Sequence, residues 1–545
     1  MRRQAYTWGR SSSQLRQEER WLESLCVVGL LVAALILYCT NLGSLPLRDW
    51  DEGTVAQIAK EIWQAPRGSS TWLFPTLWGE PYFNKPPLLH NAIALCYALI
   101  GVNEWSARLP GAVLSACSVP LLYSVGRAIF VARMPAMFAA LVYLTFLPVV
   151  RQGRLAMLDG AVLCFSLLAI WCVLRARRDL RACLGAGLAF SLIGLTKGAI
   201  VLLIGVIAVA FLLWDTPRLF RSVYFWGGLL LGSIPVVSWY SAQWQRYQTA
   251  FIDQHFLEQS LQRVYAVVEG NSGPPWYYLG ELMKYSWPWL IFSVWGLGFA
   301  WRYRNWGWAK LVLLWSGIYF AAVTFMPTKL PWYLLPIYPA LALAAGVQLA
   351  EICRLPSYAA YPKAWRVLFQ ILALCCSVGN LYLAWATGDF YLVVVLSALT
   401  LTLWVATILL MRRDLQFIPV LFWGVYISLL LFVSTPHWNW ELNEAYPVRH
   451  VADLIRLRVP ATEIVYTSFD YERPSLNFYS EHQVIPAADS QLQILWKQKL
   501  PYLLLDTETL ERFQNQQLLK SFRIIGTAEP HWVLVTKADE SLIAQ

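Results

Sequence analysis

Long apolar runs, each close to the length of a bilayer crossing and separated by short Arg and Lys clusters, limit most strongly what this chain can fold into. A spanning helix needs about 20 apolar residues, and the first run, residues 22–40, has that length. It is too long for a signal-peptide core and no small-residue cleavage pattern follows, so it reads as a retained anchor. Only 14% of the residues are charged, against about a quarter in soluble domains. The net charge of +10 falls largely in clusters between runs, where it sets topology, so no nucleic acid partner is expected. Ten cysteines without CxxC spacing indicate neither a disulfide framework nor a zinc site.

Parity orders the runs. Arg2, Arg3, Arg10, Arg16 and Arg20 place the N-terminus in the cytoplasm. The first run then exits into a mixed segment rich in Pro and Trp. Residues 88–101 are apolar but short for a crossing. If they crossed, the cluster Arg175, Arg177, Arg178 and Arg181 would lie outside. They are therefore read as a juxtamembrane helix within one long outer loop, about 43–105. Residues 183–213 are too long for one span and hold Lys197 near the middle, which reads as a hairpin of two short spans with Lys197 at its outer tip. Continuing in this way gives about 13 spans, with the C-terminus outside.

From about Thr435 the pattern changes. Strand-like runs at 463–467, 502–505, 523–525 and 532–536 alternate with helical stretches at 448–457, 490–497 and 507–515, the signature of a small α/β domain. The expected organisation is a membrane domain over 1–434 and an extracytoplasmic α/β domain over 435–545.

The outer side collects the chemistry. The first loop carries Asp49, Trp50, Asp51 and Glu52, then Glu80, Tyr82, Asn84 and Lys85. Later outer loops carry Arg151, Arg154, Asp159, Lys197, Arg263, Lys329 and Tyr333. Each has a plain reading. The acidic triplet can solvate a loop or cap a helix over 54–63. Lys329 and Tyr333 can be interfacial anchors. His90 and His255 are lone histidines, better read as structural than as metal ligands. Lys197 between two apolar helices needs a partner or a cavity, and Arg151 and Arg154 run against the positive-inside pattern. Together, carboxylates can serve as general base toward an acceptor. Lys and Arg can clamp a phosphate and stabilise it as a leaving group. Such a set suits group transfer from a lipid-linked phosphate sugar.

Asp51-Glu52 ahead of a helix, Tyr82-Phe83-Asn84-Lys85-Pro86-Pro87, Asn103-Glu104-Trp105-Ser106-Ala107-Arg108, Leu195-Thr196-Lys197-Gly198 and Lys329-Leu330-Pro331-Trp332-Tyr333 also resemble a known superfamily. These strings, in this order over about 45–340, are similar to the GT-C polyprenyl-phosphate-sugar glycosyltransferases, among them aminoarabinose transferases and protein O-mannosyltransferases. The resemblance implies a GT-C fold. It implies Asp51 as catalytic base with Glu52 beside it, and Asp159 as the second acidic residue. It implies Lys85 on the lipid phosphate with Tyr82, Lys197, Arg263 and Tyr333 as further donor-phosphate positions. Two departures stand out. Thr54 and Val55 replace an Arg-Tyr pair of aminoarabinose transferases, and Asn84 replaces a metal-ligating Glu. Asn is a neutral, weaker ligand, so a divalent metal stays open, with Asn84 and His255 as its candidates.

The expected reaction is one displacement, with inversion at the anomeric carbon, on the outer face of the inner membrane. The partners are a polyprenyl-phosphate-sugar donor, the bilayer, and an envelope lipid, glycan or protein acceptor. A protein O-mannosyltransferase-like enzyme and a lipid-linked-sugar flippase are the rivals. A flippase should show inverted repeats or mid-bilayer charges, and the sequence shows neither. A non-catalytic scaffold displaying the C-terminal domain is a third alternative.

Overall fold

The structure, a computed structural model, describes residues 12–537 apart from 50, 269, 357–360, 440–447, 498–500, 517–521 and 530. Arg2, Arg3, Arg10 and Trp50 therefore lie outside the described residues, as does the side chain of Arg16. The chain divides into two compact units. The first comprises residues 1–42, 83–89 and 111–438, the second 43–82, 90–110 and 439–545.

The first unit is helical. Among the described residues of the chain, eight helices are long and apolar enough to cross a membrane, or nine if the bent pair Arg133–Leu144 and Leu147–Gly153 is one span. The chain is thus a multi-pass membrane protein. Four further apolar helices are shorter. Residues 183–213 form the expected hairpin, as helices Ala182–Lys197 and Ile200–Asp215. Gly198 makes the turn at φ +53, a conformation open to glycine at little cost.

Two features of this unit go beyond the reading above. Arg154, which runs against the positive-inside pattern, has a structural reason. Its guanidinium is fully buried and donates to the carbonyls of Leu37 (2.7 Å), Tyr38 (3.1 Å) and Thr40 (2.6 Å) while resting 4.4 Å from the Trp438 ring. It caps the orphan carbonyls that end helix Ser12–Cys39. Helix Val223–Ile252, kinked at Gln248 (φ +49), runs on past 241 and passes into a π-helical stretch, Asp253–Leu261. The aromatic and apolar side chains that hold it, Phe251 and His255 among them, are buried, and no period in the sequence announces a π-helix.

The second unit is α/β. Its sheet has the order β4-β3-β5-β7-β6, with β3 Val465–Thr467, β4 Val484–Pro486, β5 Tyr502–Asp506, β6 Phe522–Ala528 and β7 Trp532–Lys537. A separate small hairpin pairs β1 (Thr76–Leu77) with β2 (Glu80–Pro81). Strand β3 runs parallel to β4 and β5, and β7 is antiparallel to both β5 and β6. Both faces of the sheet are covered, one by Val451, Ile455 and Leu476, the other by Leu492, Trp496, Leu510 and Phe513. This is the alternation read from the tail, with helix Pro474–Ser480 and β4 added. At seven and three residues, they are too short to leave a periodic signal. Helix Leu88–Ile100 has 13 residues, about 20 Å at the helical rise, short of the ~30 Å hydrocarbon core.

Candidate active site

The acidic pair of the first loop opens helix Asp51–Gln64, where two carboxylates oppose the helix dipole favourably. The two are not equivalent. Asp51 is exposed, whereas Glu52 is 1% exposed. Both Glu52 oxygens accept from the fully buried Arg108, at 2.8 Å from Nε and 2.8 Å from Nη2, and one also accepts from the Arg48 amide. Arg108 in turn donates to the carbonyls of Leu45 and Pro46. Glu52 thus ties down the loop ahead of the helix, and Asp51 is the carboxylate presented outward. Burial, and then the nearby Asp51 charge, raise the Tyr82 phenol above its usual range. Tyr82 therefore stays a neutral hydrogen-bonding group. Its ring packs edge-on against His90, centroids 6.0 Å apart.

The membrane unit brings together the remaining residues. Asp159 begins helix Asp159–Ala176, and Lys197 ends the first arm of the hairpin. Their charged atoms are 2.6 Å apart. The Lys197 ammonium rests 5.8 Å from the centre of the Tyr333 ring, and the Tyr333 hydroxyl accepts from Arg263 at 3.3 Å. Tyr333 is held from behind, since its carbonyl accepts from the Tyr319 hydroxyl at 2.9 Å. Arg263 sits just past the π-helical stretch, on Gln262–Tyr265. That stretch also steadies the Tyr-Phe-Asn-Lys string. His255 Nδ1 lies 2.7 Å from the Phe83 carbonyl, and Gln254 donates to Asn84 Oδ1 at 3.1 Å. Phe83 packs on Tyr247 and Phe251, and Lys85 is near enough for its charge to act on His255.

Gly198 closes the arrangement. A Cβ there would sit 3.2 Å from His255 Nε2 and 3.3 Å from the Tyr240 hydroxyl. The Thr-Lys-Gly string therefore needs its glycine twice, for the positive φ and for this close approach. The result is a chain of contacts through Asp159, Lys197, Tyr333 and Arg263, with Lys85 on the segment that His255 holds at Phe83. Half-buried cations beside a phenol hydroxyl suit an anionic group such as a phosphate.

A divalent metal does not fit the residues proposed for it. His255 has both ring nitrogens engaged, one at the Phe83 carbonyl and the other 2.9 Å from the Tyr240 hydroxyl. The Asn84 oxygen already accepts from Gln254. Among the described residues no group of three or more His, Cys, Asp or Glu is placed to hold a metal. Lys329 is structural. Its ammonium donates to the Val323 and Thr324 carbonyls, at 3.1 and 2.5 Å, and so caps helix Gly307–Phe325. Sequence reasoning missed His255 and Tyr240 as the clamp on the Phe83–Lys85 segment. A histidine followed by Phe256, with Phe251 four residues before it, was the available signal.

Residues 84–241 match the family described as dolichyl-phosphate-mannose-protein mannosyltransferase. An undecaprenyl phosphate-alpha-4-amino-4-deoxy-L-arabinose arabinosyl transferase 1 of Pseudomonas fluorescens is 29% identical over 334 residues, 59% of either chain. A Pseudomonas aeruginosa protein named as the same transferase is 30% identical over 335 residues, 60% of either chain. The match thus spans about 60% of the length of these curated relatives. A crystal structure of ArnT from Cupriavidus metallidurans bound to undecaprenyl phosphate superposes with a TM-score of 0.77 at 20% identity, covering 94% of this chain and 98% of that one. The resemblance to the GT-C superfamily of polyprenyl-phosphate-sugar glycosyltransferases is borne out, and the chain has an ArnT-like GT-C fold.

Proposed function

We propose that this chain is a membrane glycosyltransferase that moves a sugar from a polyprenyl-phosphate donor to an envelope lipid, glycan or protein acceptor, with inversion at the anomeric carbon. The observation that carries the reading is the linked set Asp159–Lys197–Tyr333–Arg263, with Lys85 two residues beyond Phe83, whose carbonyl meets His255 Nδ1. Such a set stabilises the charge that gathers on a departing phosphate oxygen. Asp51 takes the proton of the acceptor hydroxyl or amine, and the freed electron pair attacks the anomeric carbon. The bond from that carbon to the phosphate oxygen breaks, and the polyprenyl phosphate leaves with its negative charge held by Lys85, Lys197 and Arg263. Asp159 orients Lys197. Glu52 positions the helix that carries Asp51, and Tyr82 is a neutral donor toward the phosphate. No step runs through a metal.

In this reading the chain crosses the inner membrane about 13 times, with the N-terminus cytoplasmic and the site on the outer face. Residues 1–434 form the transferase domain and 435–545 an extracytoplasmic α/β domain. The names of the curated relatives support an undecaprenyl-phosphate donor with an aminosugar. The family matched over 84–241 supports a second reading, a protein acceptor. Mass spectrometry of envelope lipids and glycoproteins from a deletion strain separates them. Loss of a sugar from a lipid or glycan supports the first reading, loss from glycoproteins the second, and an unchanged envelope contradicts both.

A further inference from the structure

We infer that the C-terminal α/β region positions the catalytic helix, and that Asp49, Arg473, Lys60 and Glu481 are positioning residues for Asp51. The inference rests on the proposed role of Asp51 as base.

Helix Asp51–Gln64 has an exposed Asp51, while Glu52, Gly53, Val55, Ala56, Gln57, Ile58, Ala59 and Lys60 are buried. Much of what buries it is helix Pro474–Ser480 of the same compact unit. Gly53 marks the point of closest approach. A side chain there would overlap the Pro474 carbonyl and the Ser475 nitrogen, so only glycine lets the two helices meet.

Polar contacts fix this packing at both ends. At one end, Asp49 stands two residues ahead of Asp51 and its side chain is almost fully buried, at 3% exposure. It accepts from Arg473 at 2.9 Å, from the Ser475 amide at 3.2 Å and from the Ser475 hydroxyl. Arg473, the residue before helix Pro474–Ser480, offers that helix no side-chain cap. Asp49 supplies the cap from 426 positions away. An aspartate at a helix N-terminus satisfies orphan amides and opposes the dipole, so the start of one helix is tied to the start of the other. Arg473 is itself held between Phe469 and Tyr471, with its second terminal nitrogen on the Tyr471 hydroxyl at 2.8 Å. At the other end, Lys60 donates to Glu481 at 2.8 Å, where Glu481 takes the left-handed position that ends helix Pro474–Ser480. A third tie runs through Tyr479, whose hydroxyl accepts the Leu47 amide and donates to Glu104, which also pairs with Arg449.

A carboxylate on the first turn of a helix moves with that helix. A base displaced by about 1 Å costs up to 10²-fold in rate. Holding both ends of the helix to a rigid α/β domain sets where the Asp51 oxygen sits without touching the substrate. This gives the C-terminal region a place in the reaction that its sequence, without a Gly-rich phosphate loop, does not suggest.

The test uses full-length protein in proteoliposomes with a polyprenyl-phosphate-sugar donor. It compares wild type with R473A, R473K, K60E, E481K, the exchange K60E/E481K, and D51N, each confirmed as folded by gel filtration. R473A should lower kcat ~10- to 100-fold with KM for the donor nearly unchanged, and R473K should restore part of the loss. K60E and E481K should each lower kcat, and the exchange should recover it, which a general loss of packing would not do. Loss of activity in D51N together with wild-type kcat in folded R473A and K60E overturns the positioning role and leaves the base assignment standing. Full activity of D51N overturns the base assignment and the positioning role with it.

Discussion

The Lys197 ammonium lies 2.6 Å from the Asp159 carboxylate, with side chains only 17% and 8% exposed. Breaking one half of such a pair leaves an uncompensated charge in a low-dielectric site, which costs about 3–5 kcal/mol. The pair therefore acts as a unit. K197M and D159N should each reduce transfer ~100-fold or more, and the double variant should be little worse than the poorer single. A double-mutant cycle on initial rates measures this coupling. Additive losses would show that the two residues act independently.

Arg154 and Arg263 look alike in sequence and should behave oppositely. Arg154 ends the first helix through three carbonyls, and hydrogen bonds from a charged group are worth about 1.5–3 kcal/mol each. R154A should lower the melting temperature in detergent by several degrees while the folded fraction keeps its donor KM. R263A should leave melting nearly unchanged and raise that KM. Thermal scans and rates on the same preparations check both.

Gly198→Ala places a Cβ at positive φ against His255 and Tyr240. A side chain at this sparsely populated φ/ψ costs about 1–3 kcal/mol, and the hairpin tip carrying Lys197 must shift. Transfer should fall about tenfold or more. Gly205→Ala, whose added Cβ would meet open space, should leave the rate near wild type.

With His255 and Asn84 already engaged, removing divalent metal should leave transfer unchanged. Rates before and after treatment with EDTA and gel filtration check this. A loss that returns on adding one metal would refute it.

Much of this was legible in the sequence, for identifiable reasons. Apolar length and one central lysine foretold the hairpin at 182–215, and alternation foretold four of the five strands of the C-terminal sheet. Lys197 was legible because a charge between apolar helices needs a partner, whereas Lys85 and Arg263 were reached through the resemblance. Contacts between residues far apart in sequence were not. Asp49 and Arg473 lie 424 positions apart, and nothing in either local sequence names the other. The reason for Arg154 was hidden likewise, since its partners are backbone carbonyls, which every residue carries. Glu52 and Asp51 are neighbours with opposite exposure, which only the packing of their helix decides.

The C-terminal region carries a pH signature of its own. Burial raises the Asp506 carboxyl, but the Thr509 amide and the Ser468 and Thr509 hydroxyls outweigh it and hold the group below the usual aspartate range. A depressed folded-state value stabilises the fold above the unfolded value, near 3.9. That stabilisation is lost as pH falls through the lower, folded one. D506N should weaken protection of helix Thr507–Asn515 at neutral pH and flatten its acid dependence, as read by hydrogen exchange across pH 3–7.

Release of polyprenyl phosphate from a labelled polyprenyl-phosphate-sugar, by purified protein in proteoliposomes supplied with envelope extract as acceptor, tests the central claim most directly. Wild type should release the lipid phosphate in step with sugar transfer, and K197M should do so ~100-fold more slowly. No release by wild type, or equal release by both proteins, would contradict the account.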